Sequence, residues 1–249
     1  MTDSRNKPEA QWRYPLHQLG LLAAGLVLGV SAQAQVGTTP CGELANGFGP
    51  HDYRKYAGTA ASKRSMEDPL HLVEIAHFRP EMEALVRGGQ GVKSDVGPEF
   101  DYTLRAFPNH ARALDAAVRL SEKQGTDQPK GMRYTVDCWF QRAIRFRPDD
   151  GTVRMIYATY LGKKNRVADA TTQLEITAAN TKENPFTQYN IGLIYFDLKQ
   201  FDRALAQAHI AYGLGMPRTE LRDRLVSANQ WREPVAAAPN PEPAASAPK

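Results

Sequence analysis

The sequence predicts an all-α fold in which helical hairpins stack into a solenoid behind an irregular N-terminal arm. Apolar residues between Glu99 and Pro217 recur with the period of helices rather than with the alternation of strands. Segments of similar pattern return at a fixed interval of about 34 residues, which we call the repeat interval. Small Ala and Gly residues accompany Tyr and Phe, as packing between closely approaching helices requires. With 249 residues, 42% of them hydrophobic, the chain can bury a sizeable core.

Residues 1–34 are predicted to be a signal peptide. The apolar run Leu21–Val30 is too short to span a bilayer, and the small residues "AQA" at Ala32–Ala34 follow it. The long leading region, which carries acids as well as bases, leaves a retained membrane anchor open. With cleavage near Ala34, the protein is predicted to be periplasmic or secreted, without stable membrane insertion.

Residues 35–98 are predicted to form an arm with one or two helices. A Gly-rich, aromatic stretch comes first, and "HLVEIAHFRPEMEALVRGGQG" then predicts a segment at 71–78 and a helix from Pro80 to Gly88. Because an oxidising compartment favours pairing of two cysteines, Cys41 and Cys138 are predicted to form a disulfide that ties the arm to the helical body. The alternative is two separate buried thiols.

The clearest repeat unit runs from Phe186 to Pro217 and predicts a pair of antiparallel helices. Its packing positions are Ile191, Gly192, Tyr195, Phe201, Ala204, Ala208 and Ala211. A step back by one repeat interval gives a degenerate unit, and a second step places Phe140 and Ala143 of "CWFQRAIRFRPDDG" in another second helix. A first helix lies in "NHARALDAAVRLSEK", and the intervening "QGTDQPKGM" is predicted to bulge from the surface. One more second helix fits "EFDYTLRAFPNH".

This pattern closely resembles the tetratricopeptide repeat over about three and a half units, or about 120 residues. With the closing helix "TELRDRLVSANQW", the predicted repeat region is 99–231, and the Pro- and Ala-rich residues 232–249 are predicted to be a disordered tail. The sequence from "NGFGPHDYR" to "AFPNHARAL" also resembles uncharacterised exported repeat proteins of Gram-negative bacteria. That second resemblance implies no activity.

In tetratricopeptide repeat proteins, the first helices line a concave groove that takes an extended peptide or a helix. The resemblance places this groove on Arg112, Asp115, Arg119, Met155, Thr159, Phe186, Tyr189, Leu193 and Phe196. It implies a protein–protein interaction scaffold or an assembly factor of the bacterial envelope, whose partner is another envelope protein or peptide. The alternative for the aromatic end is that the closing helix or the arm covers it.

Other chemistry is weakly represented. His71, Glu74 and His77 are spaced three apart, which differs from the zincin pattern, so they predict a polar helix face rather than a metal site. No catalytic constellation and no cofactor motif are present, and we expect no enzyme activity. The formal charge of +4 contains no long run of like charges, which argues against nucleic acid as a partner. A metal- or ligand-binding protein or enzyme with its site in residues 41–98, and a purely structural subunit, are the competing hypotheses.

The three arginines of "CWFQRAIRFRPDDG" have two interpretations, because they are interspersed with aromatic residues as they would be in a nucleic-acid stacking surface. Phe140 and Ala143 are already assigned to the hairpin core, and arginine near a helix C-terminus favours the last carbonyls. Arg142, Arg145 and Arg147 are therefore predicted to be solvent or rim residues.

Overall fold

The computed structural model describes residues 41–58, 65–86 and 95–234. The predicted signal peptide at 1–34 and most of the predicted tail, from residue 235 on, lie outside the described residues. Within them every regular element is a helix. In chain order these are α1 (Arg54–Ala57), α2 (Pro69–His77), α3 (Pro80–Glu83), α4 (Gly97–Ala106), α5 (Ala111–Gln124), α6 (Val136–Phe146), α7 (Gly151–Lys163), α8 (Val167–Asn180), α9 (Pro185–Asp197), α10 (Phe201–Gly213) and α11 (Glu220–Ser227). The predicted all-α class is confirmed for this part of the chain.

Polar side chains fix where several helices begin. The side chain of Thr135 accepts a hydrogen bond from the backbone of α6, that of Asp150 from Val153 N–H at 3.1 Å in α7, and that of Asn184 from Thr187 N–H at 3.0 Å in α9. Each satisfies a donor that the first turn of a helix leaves unpaired. The sequence therefore sets these boundaries locally.

α7 pairs with α8, and α9 pairs with α10. Each pair is joined by only a short connection, 164–166 and 198–200, so the second helix must turn back against the first. Asn165 and Lys199 occupy the same place in the two connections, and both adopt a left-handed backbone, with φ of 59° and 61°. The two pairs are thus built alike and lie one repeat interval apart, as the starts of α7 and α9 and of α8 and α10 show.

The odd-numbered helices from α5 to α11 contact one another in sequence, α5 with α7, α7 with α9, and α9 with α11. One hydrophobic core runs along this series and includes Phe140, Ala158 and Leu221. Gly192 shows why small residues recur in it, since a Cβ there would lie 2.5 Å from the side chain of Leu221. Glycine at this position allows α11 to lie close against α9.

The connection between α5 and α6 is exposed at most of its positions, as a surface loop is, but it is anchored against α4 and does not stand clear of the helices. Met132 in this connection is buried, and Arg133 N–H donates to Asp101 Oδ1 at 2.9 Å. A Cβ at Gly97 would lie 1.9 Å from Lys130 O, so only glycine allows the connection to approach the start of α4 this closely.

The arm packs onto α4 and the residues that follow it. A second, smaller core contains Leu70, Val73, Ala106 and Phe107, with aromatic residues of the arm against them. His51 N–H donates to Ala106 O at 2.8 Å. In the neighbouring segment, α3 ends at Glu83, earlier than the predicted helix from Pro80 to Gly88. Met82 is buried, whereas Val86 is 78% exposed.

Candidate functional site

Helices α7 and α9 each leave one stripe of side chains exposed or half-exposed. On α9 the stripe consists of Phe186, Asn190, Leu193 and Asp197. On α7 it consists of Thr152, Ile156, Thr159 and Lys163. Within each stripe the positions are four, three and four residues apart, which places them on one side of a helix. Each position of the α7 stripe is followed, exactly one repeat interval later, by the matching position of the α9 stripe.

The neighbouring helices carry similar stripes. On α5 the stripe consists of Arg112, Asp115, Arg119 and Glu122, and on α11 it consists of Glu220, Arg224 and Ser227. Lys163 Nζ donates to Glu122 Oε1 at 2.7 Å, and Arg224 pairs with Asp197. These two ion pairs connect α5 with α7 and α9 with α11. Thr159 and Lys163 of α7 line one cleft together with Asp197 of α9, so the four stripes lie on one side of the helix series, and we call them together the front face.

Two depressions lie along the front face. One, of about 470 Å³, is lined by Thr159 and Lys163 of α7, by Ile194 and Asp197 of α9, and by residues that follow the C-terminal ends of these two helices. The other, of about 530 Å³, lies between Phe196 of α9 and the α11 stripe. Both are open surface clefts of a size that takes side chains of a partner.

The structure brings most of the predicted groove residues to the front face. Six belong to its stripes, namely Arg112, Asp115, Arg119, Thr159, Phe186 and Leu193. Met155 is half-buried beside the α7 stripe. Tyr189 is only 1% exposed, so the prediction that it lines the groove is wrong. Its neighbour Asn190 takes the stripe position, because one residue turns a helix by about 100°.

Phe196 lies at the edge of the front face and is partly covered by the closing helix. The guanidinium carbon of Arg224 lies 4.4 Å from the centre of its ring, and Phe201 packs edge-on at 5.2 Å. A cation over an aromatic face is a favourable contact. At Phe196, the structure therefore agrees with the alternative in which the closing helix covers the aromatic end of the groove.

The N-terminal end of the front face is tied to the arm. The Arg112 side chain donates to Glu74 Oε1 at 3.3 Å and to Glu83 Oε1 at 3.0 Å. Hydrogen bonds to Glu83 raise the pKa of Arg112, against the effect of burial. Arg119 pairs with Asp115 at 2.9 Å on the same helix.

The predicted disulfide between Cys41 and Cys138 is present, with the two Cα atoms 5.2 Å apart. Beside it, Arg142 is 2% exposed and donates to the backbone oxygens of Cys41 at 2.8 Å, Gly42 at 3.2 Å and Glu43 at 2.8 Å. The prediction that Arg142 is a solvent or rim residue is therefore wrong. The oxygens that accept from Arg142 belong to residues about a hundred positions earlier in the chain. The helical spacing of apolar residues could not indicate such distant partners.

A buried polar network fixes the next part of the arm. Asn109 donates to Asp52 Oδ1 at 2.8 Å and to Asp150 Oδ2 at 2.9 Å. Burial opposes ionisation of Asp52, but hydrogen bonds from Arg54 and Asn109 outweigh it and lower the pKa of Asp52 to about 2. The side chain of Asp150 is shared between this network and the N-terminus of α7, so the network joins the arm to the repeat region.

The weak metal candidates do not converge. Glu74 contacts Arg112 and His110, whereas His77 Nδ1 lies 2.7 Å from Glu99 Oε2 and its ring stacks on Tyr102. His71 lies on the same helix but takes part in neither contact. Among the described residues, no group of three or more His, Cys, Asp or Glu side chains is arranged to hold a metal ion.

His110 is a buried histidine that sequence analysis did not single out. Its Nδ1 accepts from Ala113 N–H at 3.2 Å and caps α5, which leaves Nε2–H to face Glu74 Oε1 at 3.3 Å. The rings of Tyr53 and Phe78 lie 4.1 Å and 4.8 Å from it. Burial lowers the pKa of His110, and the hydrogen bond to Glu74 opposes this only in part. The neutral ring serves as a helix cap.

Comparison with known proteins supplies no relative, since no protein-family model, curated protein or solved structure matches the chain. In the portion of the chain that the structure describes, none of the helices has the length and apolar character needed to cross a membrane.

Proposed function

We propose that the protein is an exported helical-repeat protein of the tetratricopeptide type, which binds another envelope protein or peptide through the front face. It acts by binding, as a scaffold or an assembly factor, with no chemical turnover. The observation that carries the proposal is the return of an exposed stripe, position for position after one repeat interval, on helices that contact one another. Repeated hairpins that contact their neighbours in series generate extended binding surfaces of this kind.

The connections between paired helices support the repeat assignment. Lys199 stands one repeat interval after Asn165 and shares its left-handed backbone, although lysine gains nothing from that conformation. α11 follows α9 as a closing helix and covers the end of the core with Leu221 and Leu225. A last helix with an apolar inner side and a charged outer side is what a terminal repeat needs.

Export is supported by the disulfide between Cys41 and Cys138, because such bridges form and persist in oxidising compartments. The signal-like residues 1–34 agree with this. An envelope partner follows from that location.

Site-specific photo-crosslinking tests the binding surface. A photoreactive phenylalanine analogue is placed at Phe186 or Thr159 on the front face of the full chain, which is expressed in a Gram-negative host. The matched control carries the analogue at Ile210 on α10, which is 44% exposed against 53% for Phe186. We expect a discrete adduct in the envelope fraction from the two front-face positions.

The control position is expected to give no such adduct. Equal adducts from Ile210, or none from Phe186 and Thr159, would remove the front face as the binding surface. Recovery of the chain from the cytosol with both thiols free would refute export.

A further inference from the structure

The middle of the front face is uncharged, and this property bears on the partner. From Pro185 to Phe196, α9 contains no ionisable Asp, Glu, Lys or Arg. From Gly151 to Gly162, α7 contains one, Arg154, which is 7% exposed. Arg154 is turned inward and donates to Pro148 O at 3.0 Å and to Gln173 Oε1 at 2.5 Å. It is therefore not available to a ligand on the front face.

The charged residues at the borders of this region are already paired within the chain. Lys163 is bound to Glu122, and Asp197 is bound to Arg224. An ionised group of a ligand that reached the α7 and α9 stripes would have to compete with these partners. Removing a charge from water without a new partner is costly.

Apolar side chains occupy much of the uncharged region. Phe186 is 53% exposed, and Ile156, Leu193 and Ile194 are partly buried, because they pack against the core on their inner side. The buried side of α9 is largely apolar, with Tyr189, Ile191 and Tyr195 beside the polar Gln188. The uncharged region therefore combines apolar side chains with uncharged polar ones, such as Asn190 and Thr159.

We propose that the partner segment bound between the α7 and α9 stripes is an uncharged, apolar stretch of another protein. This rests on the proposed function and specifies the chemistry of its ligand. Phe186, Leu193 and Ile156 supply the buried contact, and Asn190 and Thr159 supply hydrogen bonds that position it. Large apolar side chains at the centre of an interface, with charges confined to the rim, are the arrangement that gives hot spots.

Binding of the fluorescently labelled full chain to two arrays of immobilised decapeptides tests this. All peptides are N-acetylated and C-amidated, so that they carry no terminal charge. The first array uses Leu, Ile, Phe, Ala, Ser and Asn only. The second has the same sequences with Lys or Asp at every third position. The variants are Phe186→Asp and Thr159→Asp, and the control is Ile210→Asp on α10.

We expect binding to concentrate in the first array and to be at least ten-fold weaker for Phe186→Asp and Thr159→Asp, but unchanged for Ile210→Asp. Circular dichroism and thermal melting of all variants check that they are folded. We also expect that raising the salt concentration does not weaken binding, because no ion pairs form with the ligand.

The other outcomes separate the two proposals. If binding concentrates in the charged array and is still lost in Phe186→Asp, the front face is the binding surface but its ligand is not apolar. If neither array is bound, or if the front-face variants bind like the wild type, the apolar ligand is refuted. In that case the crosslinking experiment decides independently whether the front face binds anything. A chain that dimerises in sedimentation, with Phe186→Asp restoring the monomer, would assign the face to a second copy and overturn the inference.

Discussion

Replacing both cysteines by serine is expected to lower the stability of the protein substantially while leaving its fold in place. The bridge between Cys41 and Cys138 closes a loop with a sequence separation of 97 residues. Arg142 still holds the backbone oxygens of Cys41–Glu43 when the bridge is absent, so the folded arm keeps its position. The effect is therefore expected mainly in the unfolded chain.

The magnitude follows from the length of the loop. In the chain-entropy model, closing a loop of this length in the unfolded state contributes about 4.7 kcal/mol at 25 °C. That figure would be a large fraction of the total stability of a typical domain. We expect the double serine variant to lose about 3 to 5 kcal/mol.

Equilibrium unfolding in urea measures this loss. Far-ultraviolet circular dichroism follows the helices, and tryptophan fluorescence reports on the tryptophans of the chain, of which Trp139 lies next to Cys138 and is buried. The wild-type chain treated with a reductant is the matched control and should unfold like the Cys41→Ser, Cys138→Ser variant. A loss below about 1 kcal/mol would refute the reasoning, because the bridge would then not restrict the unfolded chain as its loop length requires.

Four further outcomes are expected. Arg142→Met leaves the backbone oxygens of Cys41–Glu43 without their charged donor, so the free energy of unfolding in urea should fall by about 3 kcal/mol. An unchanged midpoint of the urea transition would contradict this. The free energy of unfolding should fall as the pH drops below about 6.5, the ordinary pKa of histidine. Burial lowers the pKa of His110 in the folded protein, so the unfolded chain takes up the proton first. His110→Asn should flatten this dependence of stability on pH. Tyr189→Phe should change the melting temperature little, since the buried hydroxyl has no hydrogen-bond partner among the residues that the structure describes, and a large drop would show that it has one. Lys199→Gly should stabilise the chain by about 0.5 to 1 kcal/mol, because glycine adopts the left-handed backbone of this position without the steric cost that lysine has. A loss of stability in calorimetry would contradict this and would show that the Lys199 side chain makes essential contacts.

The helices of the repeat region were predictable because their information is local. Spaced apolar residues define the buried side of each helix, and Phe140, Ala143 and Leu221 are all fully buried as their spacing predicts. The repeat interval then relates α9 to α7, and the same step carries the exposed stripe from one to the other. The repeat pattern assigned side chains to helix faces with an error of about one residue. Tyr189 was misplaced because a shift of one residue rotates a side chain by about 100°, from the surface into the core.

The contacts of the arm could not be derived in the same way. Arg142 and Asn109 form hydrogen bonds with residues that lie about a hundred and about sixty positions earlier in the chain. Such pairs have no fixed spacing and leave no periodic trace in the sequence. His110 illustrates a related difficulty, since its role as a helix cap is local but its burial depends on Tyr53 and Phe78 of the arm. The disulfide was predictable only because cysteine is a rare residue with one common partner.

The position of the disulfide also determines how the protein responds to tension. The covalent ring contains helices α1 to α5, whereas α7 to α11 lie beyond Cys138. When the chain is pulled from its ends, the disulfide prevents the 97-residue loop from extending. The fully unfolded chain is therefore shorter by roughly 330 Å than it would be without the bridge. The helix pairs α7–α8 and α9–α10 are then the part that can unravel. A chain built in this way would lose the front face under load while the loop closed by the disulfide kept its length.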